Sequence, residues 1–227
     1  MKVQVDFCGE IYDVLPDQPL LIGRDGQLAI DDNPFLHRRF LEVSVHDSMV
    51  WLANVGSQLS ATVSDEAGLL QAWLSPGARL PLVFAKTSVW FTAGPTTYEL
   101  DIVVDESLYL PVTTATEEVG ETTIGRMTFT PDQKLLIVVL CENVLRRGRG
   151  TGTIPSSADA AKRLGWTLTK FNRKLDNVCQ KLSRSGIRGL HGDSERLATS
   201  RRARLVEYAM AARLVSTADL ALLNHPR

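Results

Sequence analysis

The sequence predicts a multi-domain chain, an all-β sandwich followed by a domain that is all-α or α+β. Three observations carry this reading. Short apolar alternations recur about every ten residues through the first hundred positions, with no helical stretch between them. From residue 130 the apolar spacing changes to threes and fours. The charge also changes sign: residues 1–125 hold 6 basic and 18 acidic side chains, a charge of −12, and residues 126–227 hold 19 and 8, a charge of +11, within a chain of net −1. Opposed halves of this kind point to two domains with different partners. At 227 residues, 44% of them hydrophobic, the chain is long enough for both to have cores.

The elements follow in order. Val3-Gln4-Val5-Asp6-Phe7, Leu20-Leu21-Ile22 and Phe40-Leu41-Glu42-Val43-Ser44-Val45 are the first strands. Val50-Trp51-Leu52, Ala61-Thr62-Val63, Ala72-Trp73-Leu74, Leu80-Pro81-Leu82-Val83, Val89-Trp90-Phe91 and a closing run from Tyr98 to Val104 continue them. Turn residues separate them, as at Asp65-Glu66-Ala67-Gly68 and Ser75-Pro76-Gly77. The sandwich spans 1–107. A Thr- and Glu-rich stretch without apolar periodicity, 108–129, is a linker.

The second domain, 130–227, opens at Thr130-Pro131-Asp132-Gln133, where Thr130 caps a helix, Pro131 takes its first position and Gln133 completes a weak capping box. Leu135, Leu136, Val139, Leu140 and Val144 form its inner stripe. Pro155-Ser156-Ser157-Ala158-Asp159 starts a short second helix stopped by Gly165, and a third runs from near Thr167 to Leu182. Residues 185–192 have the glycines of a small hairpin. A last helical region, 196–223, breaks in two at Ser216-Thr217-Ala218-Asp219.

Several function classes drop out. Cys8, Cys141 and Cys179 are scattered and odd in number, and the four histidines lack metal-ligand spacing, so neither a disulfide framework nor a zinc finger is expected. No cofactor is implied. The alternating N-terminus does not read as a signal peptide, and the longest apolar run is too short to cross a bilayer. A soluble cytoplasmic protein with no membrane partner is expected. Arginine outnumbers lysine 18 to 7, a composition of GC-rich bacterial genomes. With no catalytic triad, phosphate loop or metal cluster in view, an enzyme is not expected.

Ile22-Gly23-Arg24, the run Leu36-His37-Arg38-Arg39-Phe40, the run Asn54-Val55-Gly56-Ser57-Gln58-Leu59-Ser60, Ser75-Pro76-Gly77 and Tyr98-Glu99-Leu100 come in the order and spacing of one known scaffold. Over residues 1–105 the series resembles the forkhead-associated (FHA) domain, a β sandwich that reads phosphothreonine. The resemblance implies a phosphopeptide site at Arg24, His37, Arg38 and Ser57, in which arginine forks grip a dianionic phosphate. This chain departs from the family pattern: His37 stands for a serine, Phe40 for a structural histidine and Leu59 for the asparagine that clamps the peptide backbone. Three of the six basic residues of the acidic half, Arg24, Arg38 and Arg39, fall at this place. In the linker, Glu121-Thr122-Thr123 resembles segments that kinases phosphorylate in small bacterial FHA proteins, so Thr122 or Thr123 is a candidate phosphorylation site.

The stretch from Ile154 to Leu175 resembles the helix-turn-helix of bacterial regulators, and the hairpin after it would make the domain a winged helix-turn-helix. Leu168, Phe171, Leu175, Val178 and Leu182 form the packing stripe of the third helix. Its other faces are basic and polar, with Asp176 the one acid between Gly165 and Gly192. Thr167, Thr169, Lys170, Asn172, Arg173, Lys174, Asn177 and Lys181 are the candidate DNA contacts, and Arg184 and Arg188 would add backbone contacts from the wing. The final helices close the core or form a homodimer interface, and the residues leave both open.

Two functions stand against each other. One is a phosphorylation-linked transcriptional regulator, receiving a signal from a Ser/Thr kinase or a phosphothreonine protein through the sandwich and binding DNA through the winged helix. The other is a protein–protein adaptor using a degenerate FHA domain without DNA.

Overall fold

Residues 1–106, 127–147, 151–190 and 195–224 are described by the computed structural model of the chain. Among them, eleven strands precede the first helix: β1 Val3–Phe7, β2 Glu10–Val14, β3 Leu20–Gly23, β4 Leu28–Ala29, β5 Leu41–His46, β6 Met49–Asn54, β7 Ala61–Asp65, β8 Gln71–Leu74, β9 Arg79–Leu82, β10 Lys86–Ala93 and β11 Thr96–Val104. They form two sheets, ordered β2-β1-β11-β10-β7-β8 and β4-β3-β5-β6-β9. Their inner faces share one core, in which Val5, Ile22, Phe40, Leu41, Leu52, Phe91, Tyr98 and Leu100 are buried. The sandwich expected from the alternation is present. Two of its strands carry no apolar alternation: β2 is an edge strand that buries only Val14, and β4 has two residues.

The helical part comprises α1 Pro131–Arg147, a short strand β12 Thr151–Thr153, α2 Ser157–Arg163, α3 Leu168–Arg184, α4 Glu195–Ala211 and a 3-10 helix Thr217–Leu223. Its starts are where the cap residues put them. Thr130 Oγ1 accepts from Gln133 N–H while Gln133 Oε1 accepts from Thr130 N–H. Ser156 Oγ accepts from Asp159 N–H, and Asp219 Oδ2 accepts from both Ser216 N–H and Ser216 Oγ. Each such cap is worth about 1 kcal/mol. On α3 the apolar stripe buries Phe171, Leu175, Val178 and Leu182, at about 1.5–3 kcal/mol for each large side chain. Leu168, expected at the head of that stripe, is 47% exposed. Side chains in a helix lean toward its N-terminus, so a first-turn residue reaches past the end of its neighbours.

Two features join the halves. Strand β12 pairs with β11, Thr151–Thr153 against Thr96–Tyr98, so the chain beyond residue 130 completes part of the sandwich's larger sheet. At Gly152 a Cβ would run into the Val144 backbone, so a glycine is what lets β12 lie against α1. The outward face of the same sheet is also covered, because α4 packs on β10 and β7. Thr62, Ser64, Ser88, Trp90 and Thr92 on that face are buried, and Trp90 belongs to the helical core.

The hairpin expected at 185–192 is not present among the described residues. Residues 185–190 form turns instead, with Gly186 and Gly189 at φ +90° and +82°. Gly189 lies so close to the Trp73 ring that a Cβ would clash, and the Arg188 carbonyl accepts from Arg204 Nε at 3.0 Å. Those contacts hold the segment against Trp73 of β8 and Arg204 of α4.

Candidate functional site

Loops at one end of the sandwich bring together His37, Arg38 and Ser57, three of the four residues expected at a phosphate site. Gly23 allows the first approach: a Cβ there would strike the carbonyls of His37 and Arg38. Instead Arg24 N–H donates to His37 O and Asp25 N–H to Arg38 O, both at 2.9 Å, which ties the turn after β3 to the segment before β5. That segment is anchored from its other side. Asn33 Nδ2 donates to Ala93 O at 3.0 Å and to Tyr98 Oη at 2.9 Å, and Tyr98 Oη donates to Asp31 Oδ2 at 2.7 Å. Burial pushes the Tyr98 hydroxyl up to about 12, so it stays a donor. The loop after β6 is held by Asn54, whose Nδ2 donates to Leu59 O and Leu74 O and whose Oδ1 accepts from Gly56 N–H.

Between these loops lies an open hollow of about 460 Å³, lined by Asp25, His37, Arg38, Arg39, Val55, Gly56 and Ser57. Arg38, Arg39 and Ser57 are exposed there. Among the described residues no carboxylate lies within 4.0 Å of the Arg24, Arg38 or Arg39 guanidinium groups. Arg24 is half-buried and does not line the hollow, so it neighbours the site without forming its wall. Leu59 packs on the sandwich core and leaves the hollow open.

His37 has a different role from that of a phosphate donor. Its Nε2 accepts from the N–H groups of Ser57 and Gln58, each at 3.2 Å, with Ser57 Oγ at 3.3 Å. Accepting at Nε2 puts the proton of the neutral ring on Nδ1. That atom is buried beside Phe40 and Gly56 without a partner among the described residues. Burial holds the imidazole below the usual histidine range. Neither ring nitrogen therefore offers a hydrogen to the hollow. A brace made with backbone N–H groups leaves no mark in a sequence.

The second predicted surface divides in two. Thr169, Asn172, Arg173, Asn177, Arg184 and Arg188 are exposed. The lysines are engaged: Lys174 Nζ lies 3.0 Å and Lys170 Nζ 4.0 Å from Asp132 Oδ2, and Lys181 Nζ donates to Thr128 O above the Phe129 ring. Lys170 also sits 4.2 Å from the Trp166 ring centre. Residues 128–132 thus take three of the positions expected to face DNA. Thr167 caps α3, accepting from Lys170 N–H, and its hydroxyl already has that use. Thr122 and Thr123 lie outside the described residues.

No family model matches the chain, and no curated protein matches it. Among solved structures it is similar to the FHA-1 domain of Mycobacterium tuberculosis Rv1747, at 13% identity and a TM-score of 0.35, over 46% of this chain and 97% of that one. It is also similar to the FHA domain of an Arabidopsis thaliana hypothetical protein, at 15% identity and a TM-score of 0.35, over 50% of this chain and 91% of that one. Among the described residues no helix is long and apolar enough to cross a membrane.

Proposed function

We propose that this chain is a phosphate-reading adaptor of the FHA kind, whose sandwich binds a phosphothreonine segment of a protein partner at the Arg38–Arg39–Ser57 hollow. The observation that carries the reading is a pair of exposed guanidinium groups with no carboxylate partner among the described residues, beside the exposed Ser57, in a half whose charge is −12. A local positive island in a negative surface selects an anion that brings its own hydrogen-bond acceptors. In fluorescence anisotropy a phosphothreonine peptide binds and its unphosphorylated twin does not. The double variant Arg38→Ala with Arg39→Ala loses about 10–100-fold in affinity, the equivalent of one charge-assisted hydrogen bond or slightly more. Equal affinity for the two peptides would exclude the reading.

A second reading is favoured by a separate observation. Arg173 and Arg184 of α3 are exposed without a carboxylate partner among the described residues, on the same helix as exposed Thr169, Asn172 and Asn177. This supports DNA binding by the face of α3, which would make the chain a phosphorylation-linked regulator. Affinity for duplex DNA then falls steeply with salt, and Arg173→Ala with Arg184→Ala lowers the slope of log K against log salt by about 2. Absence of salt-sensitive binding leaves the adaptor without DNA.

A further inference from the structure

Ser57 N–H, Gln58 N–H and Ser57 Oγ converge on one point at the edge of the arginine-rimmed hollow, and that point is His37 Nε2. Successive backbone N–H groups turned toward one spot make an anion cradle. Here an imidazole lone pair fills it. The arrangement has a cost, because the same tautomer leaves the Nδ1 proton buried against Phe40 and Gly56 with no acceptor among the described residues. A ring held at a cost is a ring that a better ligand can displace.

We infer that His37 is a self-ligand of the anion site: neutral and seated, it closes the Ser57–Gln58 donors, and protonated or displaced, it opens them to an anion of the phosphate class. This rests on the phosphate-reading function proposed above and adds its regulation. The charged groups that line the hollow with the ring are Asp25 from the turn after β3 and Arg38 and Arg39 from its own segment, while Phe40, Val55 and Gly56 bring none. Burial sets the direction, lowering the imidazole from its ordinary value and favouring the neutral ring near pH 7. The sign follows. A base with a lowered folded-state value stabilises the fold above its unfolded value of 6.5, and that stability is lost as pH falls below it. In the same window the ring gains a proton, loses its lone pair and releases three donors, so anion affinity rises as pH falls.

Sulfate is the suitable probe, since its charge stays at two over this range whereas that of phosphate does not. In the full chain, the Ser57 and Gln58 amide signals in NMR shift together on acidification, with a midpoint below the usual histidine value. The wild type binds sulfate about tenfold more tightly near pH 5.5 than near pH 7.5. His37→Ala binds it tightly at both, because the cradle is empty. His37→Gln, whose side-chain oxygen can accept the same N–H groups without titrating, binds it weakly at both.

Amide signals indifferent to pH would overturn the inference. So would sulfate binding that is equal at both pH values and unchanged by His37→Ala; if the Arg38/Arg39 double variant still abolished that binding, the phosphate-reading function would stand without the latch. Amides that titrate in a protein of which no form binds sulfate would overturn both.

Discussion

Arg204→Ala is expected to destabilise the chain by about 3–5 kcal/mol in urea unfolding, because it leaves a buried carboxylate without its counter-charge. Arg204 and Glu207 are each 7% exposed, at the seam between α4 and the outward face of the larger sheet. Arg204 Nη1 lies 3.6 Å from Glu207 Oε2, both groups bond to Thr62 Oγ1, and the guanidinium stacks 3.8 Å from the Trp73 ring centre. Its Nε donates to the Arg188 carbonyl. Burial dominates both partners. It pushes the Glu207 carboxyl up to about 7 against the pull of Arg204, and brings the Arg204 guanidinium down to about 10.

A carboxyl raised in the folded state stabilises the fold below its unfolded value, 4.5, and that contribution is lost as pH rises through about 7. Without Arg204 the carboxyl rises further. The variant is therefore expected to lose more stability between about pH 5 and 8 than the wild type does. Adding Glu207→Gln to it removes the orphaned charge and recovers much of the loss. A cost below about 1 kcal/mol for Arg204→Ala, independent of pH, would show that water reaches the seam.

The sequence signals that succeeded are local. Thr130 with Gln133, Ser156 with Asp159, and Ser216 with Asp219 are side chains bonding to backbone three residues away, so the helix starts can be read in a short window. Strand alternation is equally local, which is why the sandwich was legible and the edge strand β2, with one buried residue, was not. Of the candidate site, Arg38 and Ser57 come together as the motif order implied. What could not be read depends on distant partners. Arg204 belongs to the basic run Arg201-Arg202-Ala203-Arg204, yet it is buried, because Thr62 and Trp73 receive it from 142 and 131 positions away. Lys170 and Lys174 have helical spacing suited to a groove, yet Asp132 of α1 meets them first. The His37 brace uses backbone donors that any residue carries.

Trp90→Ala should cost about 3–5 kcal/mol, comparable to the loss at Arg204 but for an apolar reason. Trp90 is 1% exposed and stands on β10 between Ser88 and Thr92. On that face a strand of a two-sheet sandwich ordinarily meets water, but here the ring enters the core formed by α1, α3 and α4. Truncation opens a cavity under α4 that the rigid sheet cannot close. Trp90→Phe is expected to cost much less, since the indole Nε1 has no partner among the described residues and its removal relieves a buried unmet donor. Circular dichroism during urea unfolding measures both. If Trp90→Ala loses as little stability as Trp90→Phe, the site collapses freely and the sheet is no anchor for the helices. The hollow is built from loops after β3, before β5 and after β6, away from this face, so Trp90→Ala should leave phosphopeptide affinity within about twofold of the wild type wherever the variant is folded. A larger drop would mean that the docked helices and the proposed anion site share one conformational equilibrium, and the helical unit would then be a reporter of what the sandwich binds.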